Sequence, residues 1–227
     1  MRAVRCLLLT FSVLILAFAS ASHAATIDLN PVSKGWVQST GVSNGSHPLN
    51  NTFTGVCCGG GTYNSWVGFL LPDLSGETLS SATLTGTLQA LSYDLTGITL
   101  AIYDVGSNPS AGGVSAFQDL QTGTKYGEVT VTDYVTPYSV ELGSSIIADV
   151  MARSGGWFYL GFTNTTILDA SQFGTWSGDT MKLQLNTVSA VPLPGAALLF
   201  GSALLGMLGL KRGATKRSSA HSGHAIA

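Results

Sequence analysis

Charge is the first thing this sequence has little of. Only 10% of its 227 residues are charged, against roughly 25% in an average soluble domain. Basic charge is scarcest in the middle. All 12 acidic residues lie between Asp28 and Asp179, with only Lys34, Lys125, Arg153 and Lys182 beside them, so that stretch carries about 4 − 12 = −8. An acidic body repels phosphate backbones, which argues against nucleic acid as a partner. Histidine is scarce too: His23 precedes the body, His221 and His224 follow it, and only His47 lies within it. One loop histidine cannot build a metal cluster, and a Ser/His triad would rest on it alone. No D-x-D-x-D-G calcium loop is present, so neither metal nor cofactor is expected. Cysteine is limited to Cys6, Cys57 and Cys58.

What the sequence does have is two marked ends. Arg2 and Arg5 precede an apolar run from Leu7 to about Ala19, and small residues follow to Ala25. A positive flank, a short apolar core and small residues at a cut point make a secretory signal peptide over residues 1–25. Ser22 and Ala24 place the cut after Ala24 or Ala25. The run falls short of the roughly 20 residues that span a bilayer. At the other end Val191, Pro192, Leu193 and Pro194 lead into 16 apolar or small residues from Gly195 to Leu210. The prolines disfavour helix at the junction and keep it extended. The run that follows makes about 24 Å of helix at roughly 1.5 Å per residue, enough for a transient span. Lys211 and Arg212, then Lys216 and Arg217, would hold that end in the cytoplasm and leave the body outside.

This C-terminal arrangement resembles the PEP-CTERM sorting signal of Gram-negative bacteria, in which a Val-Pro-Glu-Pro-like motif precedes one membrane helix and an arginine-rich end. Three of the four motif positions match; Leu193 replaces the usual Glu, as in a Val-Pro-Leu-Pro subtype, and Lys211-Arg212 replaces an arginine run. The resemblance covers residues 191–217, with 218–227 as a disordered cytoplasmic tail. It implies Sec export, a transient inner-membrane stage and cleavage by an exosortase, a membrane-embedded cysteine transpeptidase. It also implies release at the cell surface or outside the cell, in association with exopolysaccharide.

Residues 26–190 are rich in Thr, Ser, Gly, Val, Leu and aromatics, with turn signals every 8–14 residues, the composition of short strands in a sandwich. Ser65–Leu71 reads as a buried strand ending at Pro72-Asp73. From Ser81 to Ala90 the pattern alternates, with Ala82, Leu84, Gly86, Leu88 and Ala90 on one face. Ile98, Leu100 and Ile102 share a face, and strands are also expected at 128–132, 138–142, 157–162 and 181–185. One short helix is expected, capped by Ser144 or Ser145, with a stripe of Ile146, Ile147, Val150 and Met151 and a stop at Gly155. The expected fold is all-β: an antiparallel, jelly-roll-like β-sandwich with one short helix. The runs Phe69–Leu74, Ser81–Leu84 and Leu100–Val105 resemble those of extracellular DNRLRE-type and related carbohydrate-binding β-sandwich modules, which implies fold more than function.

Several residues invite chemistry. Gly41-Val-Ser-Asn-Gly45 matches the G-x-S-x-G nucleophile elbow, but that motif works between a strand and a helix, and Ser46-His-Pro does not open a helix. A loop is expected. Eleven acidic residues from Asp73 to Asp179 could supply a glycosidase pair about 5–9.5 Å apart, yet their spacing singles out none. Cys57 and Cys58 are candidates for a strained vicinal disulfide, because adjacent Cα atoms sit about 3.8 Å apart, below the usual span of about 4.4–6.8 Å. Such a ring offers a flat ligand surface or a loop staple; the alternative is that these cysteines cross-link separate molecules. Trp66 and Trp157 lie in apolar strands and are expected in the core, whereas Trp36 and Trp176, flanked by small polar residues, are candidate ligand contacts for a polysaccharide. The reading is a non-enzymatic exported surface or matrix protein; the alternatives are a carbohydrate-binding module and a secreted glycosidase.

Overall fold

The computed structural model describes residues 24–57, 60–90, 97–166, 173–189 and Ala203; for Cys57, Ala90, residues 173–179 and Ser189 the description is of backbone alone. Residues 1–23, expected as the signal peptide, and residues 191–217, expected as the sorting signal with its membrane helix, fall outside it apart from Ala203. Among the described residues no helix is long and apolar enough to cross a membrane. The body forms one compact unit, His23–Ser189.

Ten strands follow in order: β1 (Ala24–Leu29), β2 (Ser33–Gln38), β3 (Thr52–Cys57), β4 (Gly61–Leu70), β5 (Glu77–Ala90), β6 (Thr99–Asp104), β7 (Lys125–Thr130), β8 (Val135–Glu141), β9 (Trp157–Asn164) and β10 (Phe173–Ser189). Every pairing is antiparallel. Ser65 pairs with both Trp36 and Phe162, so β2 and β9 flank β4 on opposite sides. One layer is therefore β2-β4-β9-β6-β7. Leu183 pairs with both Leu29 and Leu84, so the other layer is β1-β10-β5-β8. Strand β3 pairs with the first residues of β4 and of β10 and joins the two. The result is an antiparallel sandwich, as the alternating patterns require.

The inner faces supply one core. Val67, Phe69, Leu84, Leu100, Ile102, Phe158, Leu160, Phe162, Leu183 and Leu185 are all inaccessible to solvent there. The alternation of β5 holds, with Ala82, Leu84 and Leu88 inward. Leu79 joins them from the opposite parity because a bulge intervenes: Asn186 pairs with Ser81 but Thr187 with Leu79. One extra residue flips which side chains face the core. Gly86 leaves room for the Tyr138 ring, since a Cβ there would lie 2.4 Å from the Tyr138 hydroxyl.

Among the described residues of the body, two α-helices are present where one was expected. The expected helix, here α2, spans Ser145–Ala152, buries Ile146 and Val150 and closes at Gly155 with φ +72°. Ser144 is its cap residue, but the Ser144 side chain makes no capping hydrogen bond. The unexpected helix, α1, spans Val114–Asp119 after a short 3-10 turn at Pro109–Ala111. It packs on the outer face of the first layer, where Ala116, Phe117 and Leu120 meet Val37, Trp66, Val105 and Tyr159 in a second core. At six residues it is too short to show a helical stripe, and Gly112-Gly113 before it reads as loop.

Candidate functional site

Trp36 lies on the inward side of β2, opposite Ser65. Its ring meets Tyr63 edge-on at 5.0 Å and lies 6.4 Å from Phe53, which is 6.3 Å from Tyr63. The Tyr63 hydroxyl accepts from Gln38 Nε2 at 3.2 Å. The Trp36 backbone N–H donates to Asn44 Oδ1 at 2.8 Å, and its indole Nε1 is buried with no hydrogen-bond partner. This tryptophan is half-buried in an aromatic cluster, and its polar edge does not reach water. Trp176 pairs through its backbone with Thr52 and Leu88; its side chain lies outside the described residues. The Cys57 backbone ends β3 opposite Gly61, and Cys58 also lies outside the description.

The exposed tryptophan is another one. Trp66 is fully buried, as expected, but Trp157 keeps 45% of its surface accessible. The expectation that it belongs to the core is corrected by strand parity. Phe158, Leu160 and Phe162 fill the inner face of β9, so Trp157 and Tyr159 must face out. An apolar run covered on both faces does not reveal which alternate set lies under the helix. Residues of α1 pack with Tyr159 in the second core, which does not include Trp157. The two rings lie parallel, 4° apart in plane and 5.7 Å between centroids, with Tyr159 edge-on to Trp66 at 6.0 Å. Gly68 beneath them has no room for a side chain: a Cβ would lie 2.8 Å from the Tyr159 ring and 3.4 Å from Trp157. Leu70, directly opposite Trp157, is 52% exposed. A rigidly backed indole with an accessible side is thus presented on the outer face.

The G-x-S-x-G match is a loop. The Ser43 hydroxyl donates to the Ser110 carbonyl at 3.1 Å and accepts from Gly45 N–H at 3.0 Å. His47 Nδ1 accepts from the Leu49 N–H at 3.1 Å. The segment lies along the exposed side of β2, with isolated bridges Val37–Ser43 and Lys34–His47 and a Ser33–Ser46 hydroxyl contact. It thereby covers an edge that would otherwise invite strand addition. Several of the described carboxylates are likewise taken up locally. Asp119 Oδ2 accepts from the Gly106 and Ser107 N–H groups, Asp104 Oδ1 from Thr124 N–H, and Asp149 Oδ2 from the Tyr126 hydroxyl at 2.5 Å. Burial, then that bond to Asp149, push the Tyr126 hydroxyl well above its ordinary range. Among the described residues no group of three or more His, Cys, Asp or Glu could hold a metal ion.

No protein-family model matches the chain. No curated protein matches it either. Among solved structures it is similar to the K1 cleaved adhesin domain of Lys-gingipain from Porphyromonas gingivalis W83, at 14% identity, covering 74% of this chain and 91% of that one, with a TM-score of 0.31. A likeness at that level carries no argument about function.

Proposed function

We propose that this chain is an exported, non-enzymatic surface or matrix protein. It leaves the cytoplasm by the Sec route, is held briefly in the inner membrane by the run after Pro194, and is cut at Val191–Pro194 by an exosortase-like membrane protease. The observation that carries the reading is where the sandwich begins and ends. Ala24, at the expected N-terminal cut, stands directly opposite Val188, three residues before the sorting motif. The two strands run in opposite directions, so the chain enters and leaves the body at one end of one strand pair. That arrangement suits a body set outside between two membrane-directed segments whose basic residues stay inside. Surface-protease treatment of intact cells tests the placement: the body is digested if it is outside, and protected if it is cytoplasmic.

The exposed Trp157 favours a second reading, carbohydrate binding. Sugar rings stack on accessible indole faces, and the Tyr159 ring and Gly68 hold this one in place at little further entropic cost. Trp36 is a weaker site for it, because its ring is packed against Tyr63. Pull-down on exopolysaccharide from the producing cells should retain the protein, and Trp157→Ala should lower retention about tenfold with Trp36→Ala near normal. Equal retention of Trp157→Ala and wild type would remove the site.

A further inference from the structure

In the finished body the N-terminal cut point is part of the sheet. The candidate bonds, Ala24–Ala25 and Ala25–Thr26, lie in β1, whose six residues pair with Leu183–Val188 of β10. The Thr187 hydroxyl donates to the Ala25 carbonyl at 3.4 Å, the Thr26 hydroxyl to Asn186 Oδ1 at 2.8 Å, and Gln184 Nε2 to Asp28 Oδ1 at 3.0 Å. Ile27 and Leu29 pack against the core. A peptidase must take several residues on each side of its bond in extended form and polarise the scissile carbonyl. Here Ala24 and the residues on the C-terminal side of the bond are already in a ladder, and the Ala25 carbonyl already has a donor.

The strand that covers the cut point is also the last described strand along the chain. Thr26 and Asn186 are 160 residues apart. At about 5–20 residues per second, roughly 8–30 s separate the appearance of β1 from that of its partner. Export from the N-terminus keeps the same order whatever its speed.

We infer that this pairing of first strand with last orders the maturation: N-terminal cleavage precedes docking of β1 on β10, and docking then seals the site. This rests on the signal-peptide reading of residues 1–25. The step is hydrolysis: water adds across the bond, leaving a carboxylate on the released peptide and an amine on Ala25 or Thr26. A precursor that folds uncut becomes resistant, because cleavage must wait for β1 to peel away from β10.

The test uses the full-length uncut precursor in detergent with purified bacterial signal peptidase. Initial cleavage rates are compared for folded precursor and for precursor diluted from urea directly onto the enzyme. The inference expects the folded form to be cut at least about tenfold more slowly. Ile27→Asp/Leu29→Asp, which weakens docking alone, should bring the folded rate close to the unfolded one. Its own urea-diluted sample shows whether the substitutions disturb the enzyme, and circular dichroism shows whether the body still folds. Equal rates for folded and unfolded wild type overturn the inference and leave the signal-peptide reading intact. No cleavage in either state overturns both.

Discussion

Neighbours Trp157 and Phe158 provide the sharpest test of the layer arrangement, because the sandwich assigns them opposite fates. Phe158 is fully buried, 6.4 Å from the Tyr126 ring, with the Arg153 guanidinium carbon 5.6 Å from its centroid. Cutting such a ring to Ala removes its burial and leaves a cavity, at a cost of about 3–5 kcal/mol. Trp157 is 45% exposed, so roughly half of an aromatic area of about 150–250 Å² is buried. At about 25 cal/mol per Å² that is about 2–3 kcal/mol as an upper bound. Water fills the space in the truncated variant, so about 1–2 kcal/mol is expected. For a domain of this size, 1 kcal/mol corresponds to about 2–4 °C in Tm. Urea unfolding of the processed protein, followed by far-UV circular dichroism with a common m-value, should place Phe158→Ala about 2–3 kcal/mol below Trp157→Ala. Equal losses would mean that Trp157 is a core residue and that the outer face has been assigned wrongly.

Other consequences follow from single positions. A Cβ at Gly161 would lie 2.8 Å from the Leu120 carbonyl oxygen and 2.9 Å from its Cα; Gly161→Ala should therefore push α1 off the sheet and cost about 1–3 kcal/mol, read by urea unfolding. Gly155, at φ +72° with open space around it, should lose only about 1–2 kcal/mol on change to Ala, from backbone strain alone. Tyr126 and Tyr138 are both raised above the ordinary value of 10.0 by burial, with Asp149 adding to the shift of Tyr126. A raised folded pKa favours the protonated form, so their contribution is complete below pH 10 and declines above it. The slope is about 1.4 kcal/mol per pH unit for each. Alkaline unfolding curves should show it, and Tyr126→Phe/Tyr138→Phe should flatten it.

Much of the fold was legible because it rests on alternation. The inward sets of β5 and β6 stand where Ala82, Leu84, Leu88, Leu100 and Ile102 place them, and α2 lies where Ile146 and Val150 put a helical stripe. The first three strands gave a weaker signal. β1 is an exposed edge whose only strand partner among the described residues is β10, and β2 interrupts its pattern with Lys34 and Gly35. Their pairing depends on residues far along the chain, which local periodicity does not encode. The tryptophans show the same limit. Trp157 sits in a run that reads as uniformly buried, but Tyr159 packs with Ala116, Phe117 and Leu120 of the α1 region while Trp157 stays 45% exposed. Trp36 reads as exposed from its small neighbours, but the hairpin of β3 and β4 brings Phe53 and Tyr63 against it.

The central claim, an exported body cut at both ends, is tested most directly by intact-mass measurement on the protein recovered from the cell envelope and the medium. The expected species begins at Ala25 or Thr26 and ends near Pro194, with any added mass at the new C-terminus identifying what the body was transferred to. A species that retains Gly195 to Ala227 would contradict it and make the chain a permanently anchored membrane protein.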